Sequence, residues 1–267
     1  MSTATITVQQ RSTWSGLADT IESEWTKLWS VRSSWLNILG GVVLTGLLGI
    51  QFGFSTAYDN THPAPGEVAE KAAVGGVGVS AVVVVQVVVA AFAMLPVTSE
   101  YATGSIRSTL QWTPVRRNVV LGKAAVLAPV LFAYGLLLGV IAAVAGGLAM
   151  GEWADWDFVT LMVDLVSIAA YLTLAGLFTA GIAFLIRSTA GTLTAAFLLL
   201  LVVPMMLAQS SLRAFIWLAA LLPGGAGQKF LSGATDPLSP TAGFFILLLW
   251  AAGGLFAGLK ILQRRDA

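Results

Sequence analysis

Apolar residues along this chain gather into six long runs, at 35–54, about 74–97, 124–150, 158–186, 189–208 and 241–262, with shorter polar stretches between them. Each run holds at least 20 residues. At about 1.5 Å per residue a helix of that length covers the roughly 30 Å hydrocarbon core of a bilayer. The runs are continuous rather than alternating, which predicts transmembrane helices and excludes a porin-like barrel. A seventh apolar stretch, 214–222, is too short to span; it follows Gln209-Ser210-Ser211 and is closed by Pro223-Gly224-Gly225. It reads as a re-entrant or interfacial outer segment between spans five and six.

The long polar interruption, 96–123, divides spans two and three. Glu100 and Tyr101 open it. Ala102-Thr103-Gly104 lead into one or two helical turns in which Ile106 and Leu110 fall on one face, and Pro114 ends them. Arg116, Arg117 and Lys123 follow. A short helix of this kind at the membrane surface is suited to push against a soluble partner, docking through Ile106 and Leu110 and positioned by Glu100 and Arg107. A basic loop that only sets topology accounts for the same residues.

Before the first span, Leu17, Ile21, Trp25 and Leu28 recur at helical spacing, with Asp19, Glu22, Glu24 and Lys27 on the other side. This predicts an amphipathic helix. Its tryptophans, Trp25 and Trp29 with Trp14 and Trp35 nearby, suit the membrane interface, so the helix is expected to lie in that plane. The first 34 residues lack the apolar core of a cleaved signal peptide, and a retained, cytoplasmic N-terminus is expected. The expected division is a cytoplasmic segment over 1–34, a six-helix membrane domain over 35–262 and a cytoplasmic tail over 263–267.

Composition agrees with the pattern. Hydrophobic residues make up 57%, charged residues 10%, and the mean hydropathy is +0.85, against roughly 25% charge in a soluble domain. The fold class is therefore all-α: a polytopic membrane protein with six transmembrane helices, an N-terminal interfacial helix, a coupling helix between spans two and three, and the re-entrant segment. The net charge of +1 and scattered basic residues give no footprint for nucleic acid. The absence of cysteine removes disulfides and thiolate chemistry.

Charge asymmetry orients the chain. With both termini inside, the cytoplasmic side receives Arg11, Lys27, Arg32, Arg107, Arg116, Arg117, Lys123, Arg187, Lys260, Arg264 and Arg265, and the outside only Lys71, Arg213 and Lys229. The outer loops collect Asp59, Glu67, Glu70, Glu152, Asp155, Asp157 and Asp236, with Trp153 and Trp156 to anchor spans three and four. Gly-x-x-x-Gly spacings at Gly49/Gly53, Gly135/Gly139, Gly147/Gly151 and Gly254/Gly258 permit close helix approach, within one subunit or across a dimer face. No internal repeat points to an inverted-repeat carrier.

Chemistry is sparse. His62 is the single histidine, so neither a histidine metal cluster nor a histidine-based nucleophile can be assembled. Glu152, Asp155 and Asp157 read as a solvated loop or a weak calcium site. Neither Gly122-Lys123 nor 224–229 fits a phosphate-binding Walker loop. Within the spans the polar residues are Asn37, Gln51, Gln86 and Asp164. Gln86 either bridges two helices or faces a substrate path. Asp164 either snorkels outward, or lines a polar cavity or pairs with a base from a neighbouring element.

Two phrases carry a resemblance. Ser23-Glu24-Trp25-Thr26-Lys27-Leu28-Trp29-Ser30-Val31-Arg32-Ser33 resembles the entry helix of ABC-2 type permeases, especially actinobacterial ones. Glu100-Tyr101-Ala102-Thr103-Gly104-Ser105-Ile106-Arg107, followed by Pro114, Arg116, Arg117 and Lys123, resembles that family's first cytoplasmic loop. With the six spans, the resemblance covers nearly the whole chain. It implies a bacterial plasma-membrane exporter in which two six-span subunits, identical or homologous, each dock an ATP-binding cassette ATPase through the loop helix. Glu100, Tyr101, Gly104, Ile106, Arg107, Leu110, Arg116 and Arg117 would carry the coupling. Leu17, Ile21, Trp25, Lys27 and Leu28 would form the interfacial helix, and Gln86 and Asp164 would lie on the path. ATP and magnesium would belong to the partner, with no cofactor in this chain. The cargo implied is hydrophobic or amphiphilic: an antibiotic, as in drug resistance, a peptide or a lipid. A non-transporting anchor or regulatory subunit fits the same composition.

Overall fold

In the computed structural model, which describes residues 13–63, 68–113 and 115–264, every apolar run is helical and most helices outlast their run. Arg11, Glu67, Pro114, Arg265 and the side chain of Trp14 lie outside the described residues. Helix α1 (Thr13–Ser30) precedes α2 (Arg32–Thr61), and α3 (Val74–Thr103) is followed by the short α4 (Ile106–Trp112). Then come α5 (Arg116–Met150) and α6 (Phe158–Ile186). The fifth span is built from α7 (Thr189–Phe197), a π-helical turn (Leu198–Val202) and α8 (Val203–Ala208). Two short helices, α9 (Arg213–Leu221) and α10 (Pro223–Ser232), lead to the last span, α11 (Pro240–Arg264). Six of these segments are long and apolar enough to cross a membrane.

The extra length has a simple cause. In a bilayer each backbone N–H and C=O must be satisfied within the helix, and that ladder continues past the last apolar side chain until something stops it. For α3 the stop is Gly104, at φ 74°, whose N–H donates to Tyr101 O at 3.3 Å. A left-handed residue after the last turn ends a helix at least cost when it has no Cβ. Glu100 and Tyr101, expected in a loop, therefore stand on the last turn of α3. At the opposite end Asp157 caps α6, accepting from Thr160 N–H at 2.8 Å, and this bond holds its carboxyl below the usual range.

Helix α6 is the hub and packs against α3, α5 and α11, while α2 lies over α5 and α3. Lipid tails are as apolar as the helices, so close contact rather than hydrophobic transfer holds such helices together. The glycine spacings serve these contacts. A Cβ on Gly53 would fall 2.4 Å from Gly146 O, and one on Gly181 would fall 2.3 Å from the carbonyl carbon of Gly254. A two-residue parallel bridge, Ala72 with Ala154 and Ala73 with Asp155, ties the chain before α3 to the chain before α6.

The π turn in the fifth span precedes Pro204. Proline has no N–H for the carbonyl four residues earlier, that of Leu200, and its ring crowds it, which is a recurrent cause of such a bulge. Gly224 of α10 packs directly on Leu200: a Cβ there would meet the carbonyl oxygen at 1.8 Å. Gly227 lies in the same way on the ring of Tyr171, about 20 Å along α6 from Phe158 at 1.5 Å per residue. The α9–α10 hairpin thus packs against the bundle with Pro223, Gly224, Gly225, Ala226 and Gly227 buried, whereas in the 214–222 stretch the buried residues are Ala219 and Ala220.

Candidate functional site: the charged collar around α4

The end of the bundle where α3 stops and α5 starts gathers four charges. Lys123, in the second turn of α5, donates to Glu24 Oε2 at 2.6 Å, to Glu100 Oε1 at 2.9 Å and to Pro96 O at 2.9 Å. Lys27 donates to Glu24 Oε1 at 2.9 Å and to Glu100 Oε1 at 3.0 Å. Three helices, α1, α3 and α5, are tied by this neutral set of two carboxylates and two ammonium groups. Side-chain exposure is 2% for Lys123, 4% for Glu24 and 9% for Glu100, but 43% for Lys27. Burial opposes the Lys27 charge, yet hydrogen bonds and attraction from Glu24 and Glu100 outweigh it and hold the ammonium above the ordinary lysine value. Buried charges are tolerated where they are mutually paired in this way.

This placement corrects the reading of α1. The helix forms as expected, but Glu24 is on its inward line with Thr20 and Leu28, all three buried, not on the water side. Ile21 and Leu17 are half-buried, and Trp25, 49% exposed, points outward and meets Trp29 edge-on at 5.6 Å. The indole of Trp35 donates to Trp29 O at 3.1 Å, which pins the elbow between α1 and α2.

Helix α4 forms where expected but with its faces exchanged. Ile106 is 3% exposed and Leu110 is half-buried against Met94, Val97 and their neighbours, so both hold α4 to the bundle. The outward residues are Arg107, Ser108, Gln111 and Trp112. Trp112 is 89% exposed. Helical period fixes that two residues share a face; it does not say which face the rest of the chain covers. Arg116, at the start of α5, donates to Leu262 O at 2.6 Å and Gln263 O at 3.3 Å and so closes the end of α11. Arg117 is exposed. Arg187, at φ 59°, ends α6 and stacks on Tyr101 at 5.1 Å.

The two residues expected on a path do not line an open one. Gln86 is 1% exposed and accepts a hydrogen bond from the hydroxyl of Tyr171, also 1% exposed, so it bridges α3 and α6. Asp164 is half-buried over Gly75 in the first turn of α3: a Cβ on that glycine would fall 2.2 Å from Oδ2. No ion pair joins Asp164 to a base among the described residues. Its carboxylate lies near the amide end of α3, where a helix dipole favours negative charge.

Sequence reasoning missed the pairing of Glu24 with Lys123 and the exposure of Trp112. The first left a trace, since Glu24 sits in one of the two phrases that carry the family resemblance and Lys123 directly precedes an apolar run. The second left none beyond a tryptophan in a polar loop.

Six apolar helices, an N-terminal helix bound to them by buried charge and a short helix held at one end define a multi-pass α-helical membrane protein. The family model described as ABC-2 family transporter protein matches residues 20–211, well over half of the chain, and the chain belongs to that family. It is the membrane component of an ABC transporter, a class that associates with an ATP-binding cassette ATPase and leaves ATP hydrolysis to that separate subunit. The match ends before the α9–α10 hairpin and the last span. A search of curated proteins finds no match.

Proposed function

We propose that this chain is the permease subunit of an exporter that carries a hydrophobic or amphiphilic compound outward across a bacterial plasma membrane. A separate cassette ATPase supplies the energy, hydrolysing ATP with magnesium, and a second six-span subunit, identical or homologous, completes the transporter. Both termini lie in the cytoplasm, a reading supported by the basic residues at the α4 end.

The observation that carries this reading is α4 itself. It is anchored inward by Ile106, stopped from merging with α3 by Gly104, and presents Trp112 to solvent beside Arg107 and Gln111. Exposed aromatic and arginine side chains are the usual anchors of a protein interface. Covering a large apolar side chain contributes about 1.5 to 3 kcal/mol, so Trp112 takes the docking role first given to Ile106 and Leu110. Arg107 and Arg117 complete the surface, and Glu100, Tyr101 and Arg116 hold it in place from behind.

Co-purification tests it. Trp112→Ala combined with Arg107→Glu should leave expression unchanged and weaken capture of the cassette ATPase about tenfold or more. Wild-type capture and export by that double variant would sink the assignment. Single cysteines at Ser108 and Asp157, in a chain with none of its own, test the orientation: an impermeant reagent applied to intact cells should label position 157 alone.

A further inference from the structure

A groove of about 770 Å³ runs between α2 and α5 on the outside of the bundle, and every residue that lines it is apolar. Its cause lies in how the two helices meet. Toward α4 the gap between them is filled by Tyr134, whose hydroxyl shares its hydrogen between Asn37 O at 3.2 Å and Ile38 O at 3.3 Å. Toward the other end α5 turns small residues to α2: a Cβ on Gly49 would fall 3.2 Å from Ala145 Cβ, and one on Gly53 would fall 2.8 Å from Ala149 Cβ. The backbones come close there, the two alanines become a floor, and Ile50 and Phe54 on one side and Val144 and Leu148 on the other flank it as ridges.

Length is the second observation. The α5 wall of the groove runs from Val140 to Ala149, about 13 Å at 1.5 Å per residue, which is close to half of the roughly 30 Å hydrocarbon core and so to the depth of one leaflet. A spanning helix of a second copy would cross both leaflets. At about 10 to 12 Å across, 13 Å of helix takes up roughly 1,000 to 1,500 Å³, more than the groove holds. The end of the groove away from α4 is marked as well: the line of Ile50 and Phe54 continues at the same spacing to Tyr58, which is exposed and stacks on His62 at 4.5 Å. A ring with a polar tip suits headgroup depth, so an occupant with its alkyl chain in the groove has its polar head at Tyr58.

We propose that this groove holds one acyl chain of a phospholipid from the leaflet away from α4. Lipid and protein are equally apolar here, so shape decides: a chain in the groove touches α2, α5 and the alanine floor, whereas a chain against a convex helix face touches one side alone. The groove shares no residue with the outward face of α4, so failure to capture an ATPase leaves the inference standing.

The test is native mass spectrometry of the full chain in a sterol-based detergent, which has no alkyl chain to compete, titrated with dioleoylphosphatidylcholine. One lipid should bind about tenfold or more tighter than the next. Phe54→Ala with Leu148→Ala lowers both ridges; these side chains are 61% and 75% exposed, so the unfolding temperature should hold while the affinity for the first lipid falls about tenfold. Leu39→Ala with Val43→Ala, similarly exposed on α2 but outside the groove, should change neither. No tighter first lipid, equal affinity in the ridge and control variants, or a dimer of the chain that only the ridge variant dissolves would overturn the proposal.

Discussion

The ammonium of Lys123 meets Glu24 Oε2 at 2.6 Å across 99 residues of sequence, with almost none of either side chain exposed. A pair this deep is better judged by what happens when one member leaves than by its net worth, because the partner is then stranded. Lys123→Met is expected to cost about 3 to 5 kcal/mol, read as a fall in the thermal unfolding midpoint of the purified chain. Lys27→Met, at a position solvent reaches, should cost only about 0 to 1 kcal/mol. Equal losses would mean that the two lysines share one environment, contrary to their exposures.

Ile106→Asp should destabilise the chain itself. The side chain is buried, and an unpaired charge there has no partner to meet it. Ile106→Val should cost about 0.5 to 1.5 kcal/mol and Trp112→Asp almost nothing, all measured by thermal unfolding in one detergent. If Ile106→Asp unfolds at the wild-type temperature, α4 is packed the other way round.

Two glycines on different helices make a matched comparison. A Cβ on Gly224 would lie 1.8 Å from the Leu200 carbonyl oxygen, whereas one on Gly40 would meet nothing within 4 Å. Gly224→Ala must push the hairpin off the fifth span, at about 1 to 3 kcal/mol or more. Gly40→Ala in the purified subunit should instead be neutral or stabilising by up to about 1 kcal/mol, the helix-propensity gain. Thermal unfolding of the two variants side by side decides it; the reverse order would remove the hairpin from its site against Leu200.

Tyr171→Phe leaves the buried Gln86 amide without its donor and should cost about 1 to 3 kcal/mol. Adding Gln86→Leu removes the stranded group as well and should recover part of the loss. The comparison is a double-mutant cycle on unfolding midpoints. A strictly additive cycle would show that the two groups do not bond.

The spans were readable in the sequence because they depend on a local quantity, the length of an apolar run, and the break at Pro223-Gly224-Gly225 likewise falls where α9 gives way to α10. Helix ends were less readable, since the backbone ladder of α3 carries Glu100 and Tyr101 past the apolar run to Gly104. Glu24 was placed in water because amphipathic spacing sorts residues by polarity, and the inward position suits a carboxylate once Lys123, far along the chain, joins Lys27 in pairing it. Gln86 had two readings until Tyr171 was seen beside it. Ile106 and Leu110 were rightly put on one face, and which way that face turned depended on α3 and the helices around it.

Arg116 opens α5 two turns before Lys123, and the two side chains reach in different directions: one holds the end of α11, the other α1 and α3. Three residues, 113–115, join α4 to this gripped segment. The start of α5 therefore fastens the first and the last of the described helices at one place, as a single pin passes through two hinges, although they lie at opposite ends of the sequence.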